Sequence, residues 1–168
     1  MRVEIRDGLE SRPDVGPLAA AVYPPEVLAN IVWRSVVSAR ATRRVLVYDD
    51  DGSLVAAAGV LFRTGTLNSS KSNIAGIGGV MTLPTRQREG FGSVAMNAAH
   101  QLVARESTSA FGLLFCEPKN FSFYHSLGWS SSPAQSSPSS PPRPRHTPSC
   151  RHWFTLSSRP LQRKAPLS

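Results

Sequence analysis

The stretch Gly79-Val80-Met81-Thr82-Leu83-Pro84-Thr85-Arg86-Gln87-Arg88-Glu89-Gly90-Phe91-Gly92 decides how this chain is read. An apolar run enters a polar turn, and beyond it Phe91, Val94, Ala95, Ala98, Ala99, Leu102 and Val103 fall on one wide helical face. A strand thus feeds a two-glycine loop that opens a long helix. The first N–H groups of such a helix have no intrahelical partner and carry partial positive charge, which suits them to phosphate. Gly90 and Gly92 let an anion approach the backbone, and Arg86 and Arg88 add cationic charge. Two glycines alone do not separate this arrangement from an ordinary strand-to-helix turn. Other nucleotide and nucleophile motifs are missing: there is no GxxxxGK[ST], Gly76-Ile77-Gly78-Gly79 fails GxGxxG, and no GxSxG elbow surrounds Ser93.

Working outward, Arg2 to Arg6 alternates with period two and predicts a short strand. Asp14 to Val22 predicts a helix ended by Pro24-Pro25, and that pair can open a second helix over Glu26 to Val37. Arg44 to Tyr48 and Leu54 to Phe62 are strands around the Asp49-Asp50-Asp51-Gly52 turn. Thr64 to Asn73, rich in Gly, Ser and Asn, reads as another hairpin connection. Ile74 to Thr82 follows as a strand whose glycines suggest a bulge or close ligand approach. Phe111 to Cys116 is a buried strand, and Asn120 to Leu127 a short helix stopped by Gly128. The order gives an α/β (α+β layered) fold, with a mixed, mostly antiparallel central sheet flanked by helices.

With 168 residues, the chain is the size of one domain. Its apolar runs are far short of the ~20 residues a membrane span needs. The N-terminus has no apolar signal core, and two cysteines build no disulfide framework, so the cytoplasm is the expected compartment and no metal is expected. The net charge of +8 is uneven: residues 1–129 hold 13 Lys and Arg against all 11 acids, and residues 130–168 hold 6 Lys and Arg with no acid. That second segment also carries 11 serines and 8 prolines. Such composition buries too little apolar surface to offset ordering entropy. Residues 1–129 are therefore expected to be the folded domain and 130–168 a Ser/Pro/Arg-rich irregular or disordered tail, with Cys150, Trp153, Phe154 and Leu156 able to dock back. The abrupt change after Trp129 favours an out-of-frame translation of a GC-rich gene over a basic nucleic-acid arm.

Two segments carry a family resemblance. Gln87-Arg88-Glu89-Gly90-Phe91-Gly92 resembles the [QR]-x-x-G-x-[GA] acetyl-CoA signature of the GCN5-related N-acetyltransferase (GNAT) superfamily. Asn120-Phe121-Ser122-Phe123-Tyr124-His125-Ser126-Leu127-Gly128-Trp129 is similar to its second segment, N-x-x-[FLA]-Y-x-x-[LF]-G-[FW]. The order of elements from Arg2 to Trp129 agrees as well, so the likeness covers about three quarters of the chain.

The resemblance implies an acyl-CoA N-acyltransferase-like fold and acetyl-CoA as cosubstrate. It implies that the pyrophosphate lies on the amides of Gln87, Arg88, Glu89, Gly90, Phe91 and Gly92 with Ser93 adjacent. Pantetheine would pair with Val80, Met81 and Thr82, an amide near Val80 or Met81 would polarise the thioester carbonyl, and Asn120 would hydrogen-bond the cofactor. Tyr124 matches the tyrosine that protonates the departing thiolate. Direct attack needs a neutral amine and hence a base. The strand before the signature has no carboxylate, so Glu117 is the nearest candidate by topology. His125 should point away from Tyr124, His100 belongs to the signature helix, and Cys116 is a core thiol.

Relatives end in two further strands that complete the acceptor pocket. Here that C-terminal strand pair looks missing or aberrant, with only His152 to Leu156 strand-like. The expected activity is transfer of acetyl from acetyl-CoA to a primary amine of a small molecule or peptide, the acceptor itself being open. The alternatives are an impaired or non-catalytic CoA-binding relative and, further behind, a basic-tail nucleic-acid binder in which Trp153 and Phe154 stack on bases. No membrane partner is expected, and an unpaired sheet edge is a reason to expect a homodimer.

Overall fold

The computed structural model describes residues 1–30, 39–67, 69–106, 111–133 and 152–157. The expected helical residues Ile31 to Val37, together with Cys150 and the tail arginines, lie outside them.

Strand β1 (Arg2–Asp7) leads into helices α1 (Arg12–Val22) and α2 (Pro25–Asn30), followed by strands β2 (Arg43–Tyr48), β3 (Leu54–Leu67) and β4 (Ser70–Thr82). Helix α3 (Phe91–Glu106) crosses over to β5 (Phe111–Phe115), and α4 (Phe121–Ser126) precedes β6 (Ser130–Pro133) and β7 (His152–Ser157). Among the described residues these strands form one seven-stranded sheet in the order β1-β2-β3-β4-β5-β7-β6. The β4–β5 pair is parallel and every other pair is antiparallel. A parallel pair needs a long crossover, and α3 supplies it.

Two cores cover the two faces. Val45, Val47, Ala56, Ala58, Val60 and Ile77 pack against Phe91, Ala95, Met96, Ala99 and Leu102 of α3 and against Tyr124 and Trp129. On the other face Val15 and Leu18 of α1 meet Leu46, Ala57 and Met81. Period-two alternation in β2 sends Val45 and Val47 one way and Leu46 the other, all fully buried. The Asp49–Gly52 turn forms as expected: Asp49 N–H donates to Ser53 O at 2.9 Å and Gly52 takes φ +83°. In contrast, α2 buries none of its side chains, so its apolar spacing reports helix and not core.

Two expectations are corrected here. Thr64 to Asn73 is not a connection, because β3 and β4 stay paired out to Leu67–Ser70. Thr64 donates its hydroxyl to Asn73 Oδ1 at 3.1 Å within the ladder. Side-chain composition suggested a loop, but cross-strand pairing decided the outcome. The run Ser130–Pro133 lacks strand periodicity yet pairs with β7, while β7 pairs with β5 from Phe111–Ser157 to Phe115–Trp153. The C-terminal pair is therefore present in an aberrant form, one strand being a four-residue Ser-Ser-Ser-Pro segment.

Trp129 anchors this region. It is 4% exposed, and a Cβ on Gly112 of β5 would come within 3.1 Å of its ring. Trp129→Ala is expected to lower unfolding free energy by about 3–5 kcal/mol, read from urea denaturation.

Candidate functional site

The central geometry comes from β4. Its register with β3 runs Val60–Ile77 and Gly59–Gly78, then resumes at Ala57–Met81. Ala58 alone thus faces two residues, Gly79 and Val80, which is a β-bulge. Gly79 takes φ +58°, a left-handed conformation that glycine adopts without penalty. Pairing with β5 stops just before the bulge, at Ile77–Leu114. Beyond it β5 continues with β7, whereas Gly78 to Thr82 pair only with β3. The two central strands part, and among the described residues this leaves a strip of β4 backbone without a strand on its β5 side.

At the end of that strip the chain turns through Pro84–Arg86 into α3. Gln87 to Gly90 are exposed, with φ +67° at Arg88 and +91° at Gly90. A non-glycine residue in the left-handed region costs about 1–3 kcal/mol, so neighbours must hold this loop. Arg86 does so. It ion-pairs with Asp49 of the β2–β3 turn, its Nε donates to Glu89 Oε2 at 2.9 Å, and its guanidinium lies 4.9 Å from the Phe91 ring centroid. Its charge, read from sequence as available to phosphate, is instead taken up by two carboxylates. The Arg86 hydrogen bond, followed by the Asp50 N–H, holds the Asp49 carboxyl below its ordinary value.

Val94 N–H makes the first helical bond, to Gly90 O at 3.0 Å, so the N–H groups of Phe91, Gly92 and Ser93 precede it. Gly92 is packed tightly: a Cβ there would lie 3.0 Å from Thr82 Oγ1 and 3.5 Å from Phe123. The end of β4, the start of α3 and the second motif therefore converge at one point. At Gly90 a Cβ would meet nothing within 4 Å, so the loop opens onto space.

Tyr124 lies on α4, buried to 7% exposure, with the Phe123 ring edge-on at 5.0 Å. Burial, then Cys116 and Tyr23, push its phenol pKa well above the ordinary value of 10.0. It is neutral at physiological pH. His125 is exposed, and His100 sits half-buried in α3 with its pKa lowered by burial. Glu117 follows β5 and pairs with Lys119 at 2.6 Å. Asn120 begins α4 without capping it by its side chain, which is exposed. Cys116 is half-buried against the main core.

Nothing in the sequence singles out Tyr23. It ends α1 and packs on the cluster containing Met81, so it approaches β4 from the face opposite Tyr124. Burial and then Glu117 raise its pKa. Burial dominates for both phenols, with Glu117 acting on Tyr23, and Cys116 and Tyr23 acting on Tyr124. Among the described residues no three His, Cys, Asp or Glu are placed to hold a metal, and no helix is long and apolar enough to cross a membrane.

This architecture is the acyl-CoA N-acyltransferase fold. The structure is similar to a GNAT family acetyltransferase from Brucella melitensis in complex with acetyl-CoA, with TM-score 0.58, 15% identity and coverage of 95% of this chain and 90% of that one. It also resembles the E. coli GNAT family N-acetyltransferase YhbS in complex with CoA, at TM-score 0.54, 11% identity and coverage of 77% and 68%. A conserved protein from Enterococcus faecalis V583 aligns at TM-score 0.58 and 19% identity over 78% of this chain, which spans only 33% of that protein. No functionally curated protein matches the sequence. The model of the acetyltransferase (GNAT) domain matches residues 14–132, and the chain belongs to that family.

The Asp49–Arg86 pair links loop shape to pH. A carboxyl whose pKa is depressed by folding stabilises the fold above its unfolded value and loses that contribution as pH falls through the folded one. Asp49→Asn is expected to lower the thermal midpoint at pH 7, and the gap from the parent should close below the ordinary carboxyl value of 3.8. Thermal scans across that range test it.

Proposed function

We propose that the chain is an acetyl-CoA-dependent N-acetyltransferase acting on a primary amine of a small molecule or peptide. The observation that carries this reading is the parting of β4 from β5 after Ile77–Leu114, with the N-terminus of α3 at the end of the opened strip. Acetyl-CoA supplies an activated thioester, so the protein must grip the carrier, polarise the acyl oxygen and manage two protons.

The amides from Gln87 to Gly92, with Ser93 beside them, receive the pyrophosphate. Gly90 faces open space and Gly92 allows the helix start to seat against Thr82, which fits an anion resting on backbone. Asn120 keeps its side chain out of the helix cap and serves the cofactor. Val80, Met81 and Thr82 offer backbone groups on the β5 side for the pantetheine amides, as an added strand would. An amide at Val80 or Met81, next to the bulge, polarises the acyl oxygen.

Tyr124 protonates the departing thiolate. Its raised pKa keeps the hydroxyl a donor throughout the working range, and burial keeps bulk water from competing. Glu117 accepts the ammonium proton of the acceptor directly or through water, exchanging its bond to Lys119 for one to the amine. The adjacent β6–β7 pair supports turnover over a binding-only role, because it gives β5 a second neighbour on the acceptor side.

Tyr124→Phe is expected to lower kcat by about 10²–10⁴-fold while acetyl-CoA affinity, measured by calorimetry, stays unchanged. Unchanged turnover removes Tyr124 as the acid. Gly90→Val forces a β-branched residue into φ +91° and should abolish acetyl-CoA binding while the core stays folded. A parent protein that gives neither heat nor thermal shift with acetyl-CoA refutes the whole reading. Binding without thiol release across an amine panel leaves a non-catalytic CoA binder.

A further inference from the structure

Among the described residues the sheet has a second open boundary, at β1. Gly8 N–H donates to Thr42 O at 3.0 Å, continuing the register in which Arg2 faces Tyr48 and Asp7 faces Arg43. Antiparallel ladders alternate, so the even residues of β1 direct their backbone groups to β2, while Val3 and Ile5 direct theirs outward. The Asp7 carbonyl also points outward but accepts the Ser11 N–H at 3.1 Å and the Ser11 hydroxyl at 2.6 Å, which ends the open edge there.

The side chains of that edge are apolar where solvent would favour polar ones. Val3 and Ile5 stand opposite the fully buried Val47 and Val45, yet they are 42% and 44% exposed, and Met1 is 60% exposed. The apolar layer beneath α3 thus runs outward onto β1 without cover among the described residues. A groove of about 400 Å³, lined by Ile5, Leu102 and five charged residues of β1, β2 and α3, lies beside it.

We propose that β1 is a dimerisation edge on which a second copy of this chain adds its own β1, antiparallel, about a two-fold axis at Val3. Closed symmetry demands a self-complementary strand, and the charge pattern together with the committed Asp7 carbonyl selects one register. Centred on Val3, Val3 meets the partner's Val3, Met1 meets the partner's Ile5, and Arg2 meets the partner's Glu4 twice. All exposed apolar side chains of β1 then share one face, and the outward groups of Val3 and Ile5 find partners. Centred on Glu4, Glu4 meets its own copy and Arg2 meets the partner's Arg6, both repulsive. Centred on Ile5, Glu4 meets the partner's Arg6, but Val3 falls against the partner's Asp7, whose carbonyl is already committed to Ser11. Arg2 and Glu4 are also ion-paired within the chain, so the two-fold doubles that pair into a four-charge network. The ladder is short, so the dissociation constant is expected to be about micromolar or weaker.

Sedimentation velocity on the full chain over a concentration series tests this. A reversible monomer–dimer equilibrium is expected. Glu4→Arg should raise the dissociation constant about tenfold or more. Val3→Pro, which removes an outward N–H and leaves the β2 ladder intact, should abolish association. The double exchange Arg2→Glu with Glu4→Arg should restore it. Circular dichroism confirms that each variant is folded. A monomer at every concentration, a dimer indifferent to both single variants, or failure of the double exchange to rescue overturns the proposal. It does not rest on the acetyl-transfer reading, and acetyl-CoA binding should be the same in the monomeric variants.

Discussion

A single extra residue in β4 governs this structure. Because Gly79 and Val80 share one partner on β3, the strand bends and twists at that point. Its pairing with β5 ends two residues earlier, at Ile77. Glycine at Gly79 makes the bend inexpensive, since any other residue would carry strain at φ +58°. The start of α3 lies at the end of the strip that this bend leaves beside β4.

The flanking elements keep that opening in shape. Gly92 allows α3 to close on Thr82 and Phe123, so the helix N-terminus is fixed relative to the end of β4. Arg86 ties the loop to the β2–β3 turn on one side and to Glu89 on the other. Met81 is buried against α1, whereas Val80 packs toward α3, so the strip is gripped from both faces. The left-handed Arg88 persists within this frame.

Much of this was legible in the sequence. The glycine run from Gly76 to Gly79 announced a bulge, and the switch from strand to helical period located α3 within a residue. The two motifs named the family. What remained hidden depended on distant partners. Arg86 read as a free cation because its neutraliser, Asp49, is remote in sequence. Tyr23 carries no motif and matters only because α1 brings it over Met81. Thr64 to Asn73 and Ser130 to Pro133 have turn-like composition, yet ladder bonds use backbone and tolerate any side chain that can face solvent. Local sequence records propensity, and pairing with a far segment can override it.

The place of β7 in the sheet also has a consequence for synthesis. Strand β5 ends at Phe115 and its antiparallel neighbour begins at His152, so one flank of a central apolar strand waits for the ribosome to deliver the segment that covers it. At about 5–20 residues per second the wait lasts on the order of 2–7 s. Throughout that time Phe111-Gly112-Leu113-Leu114-Phe115 presents a bare ladder edge on the nascent chain.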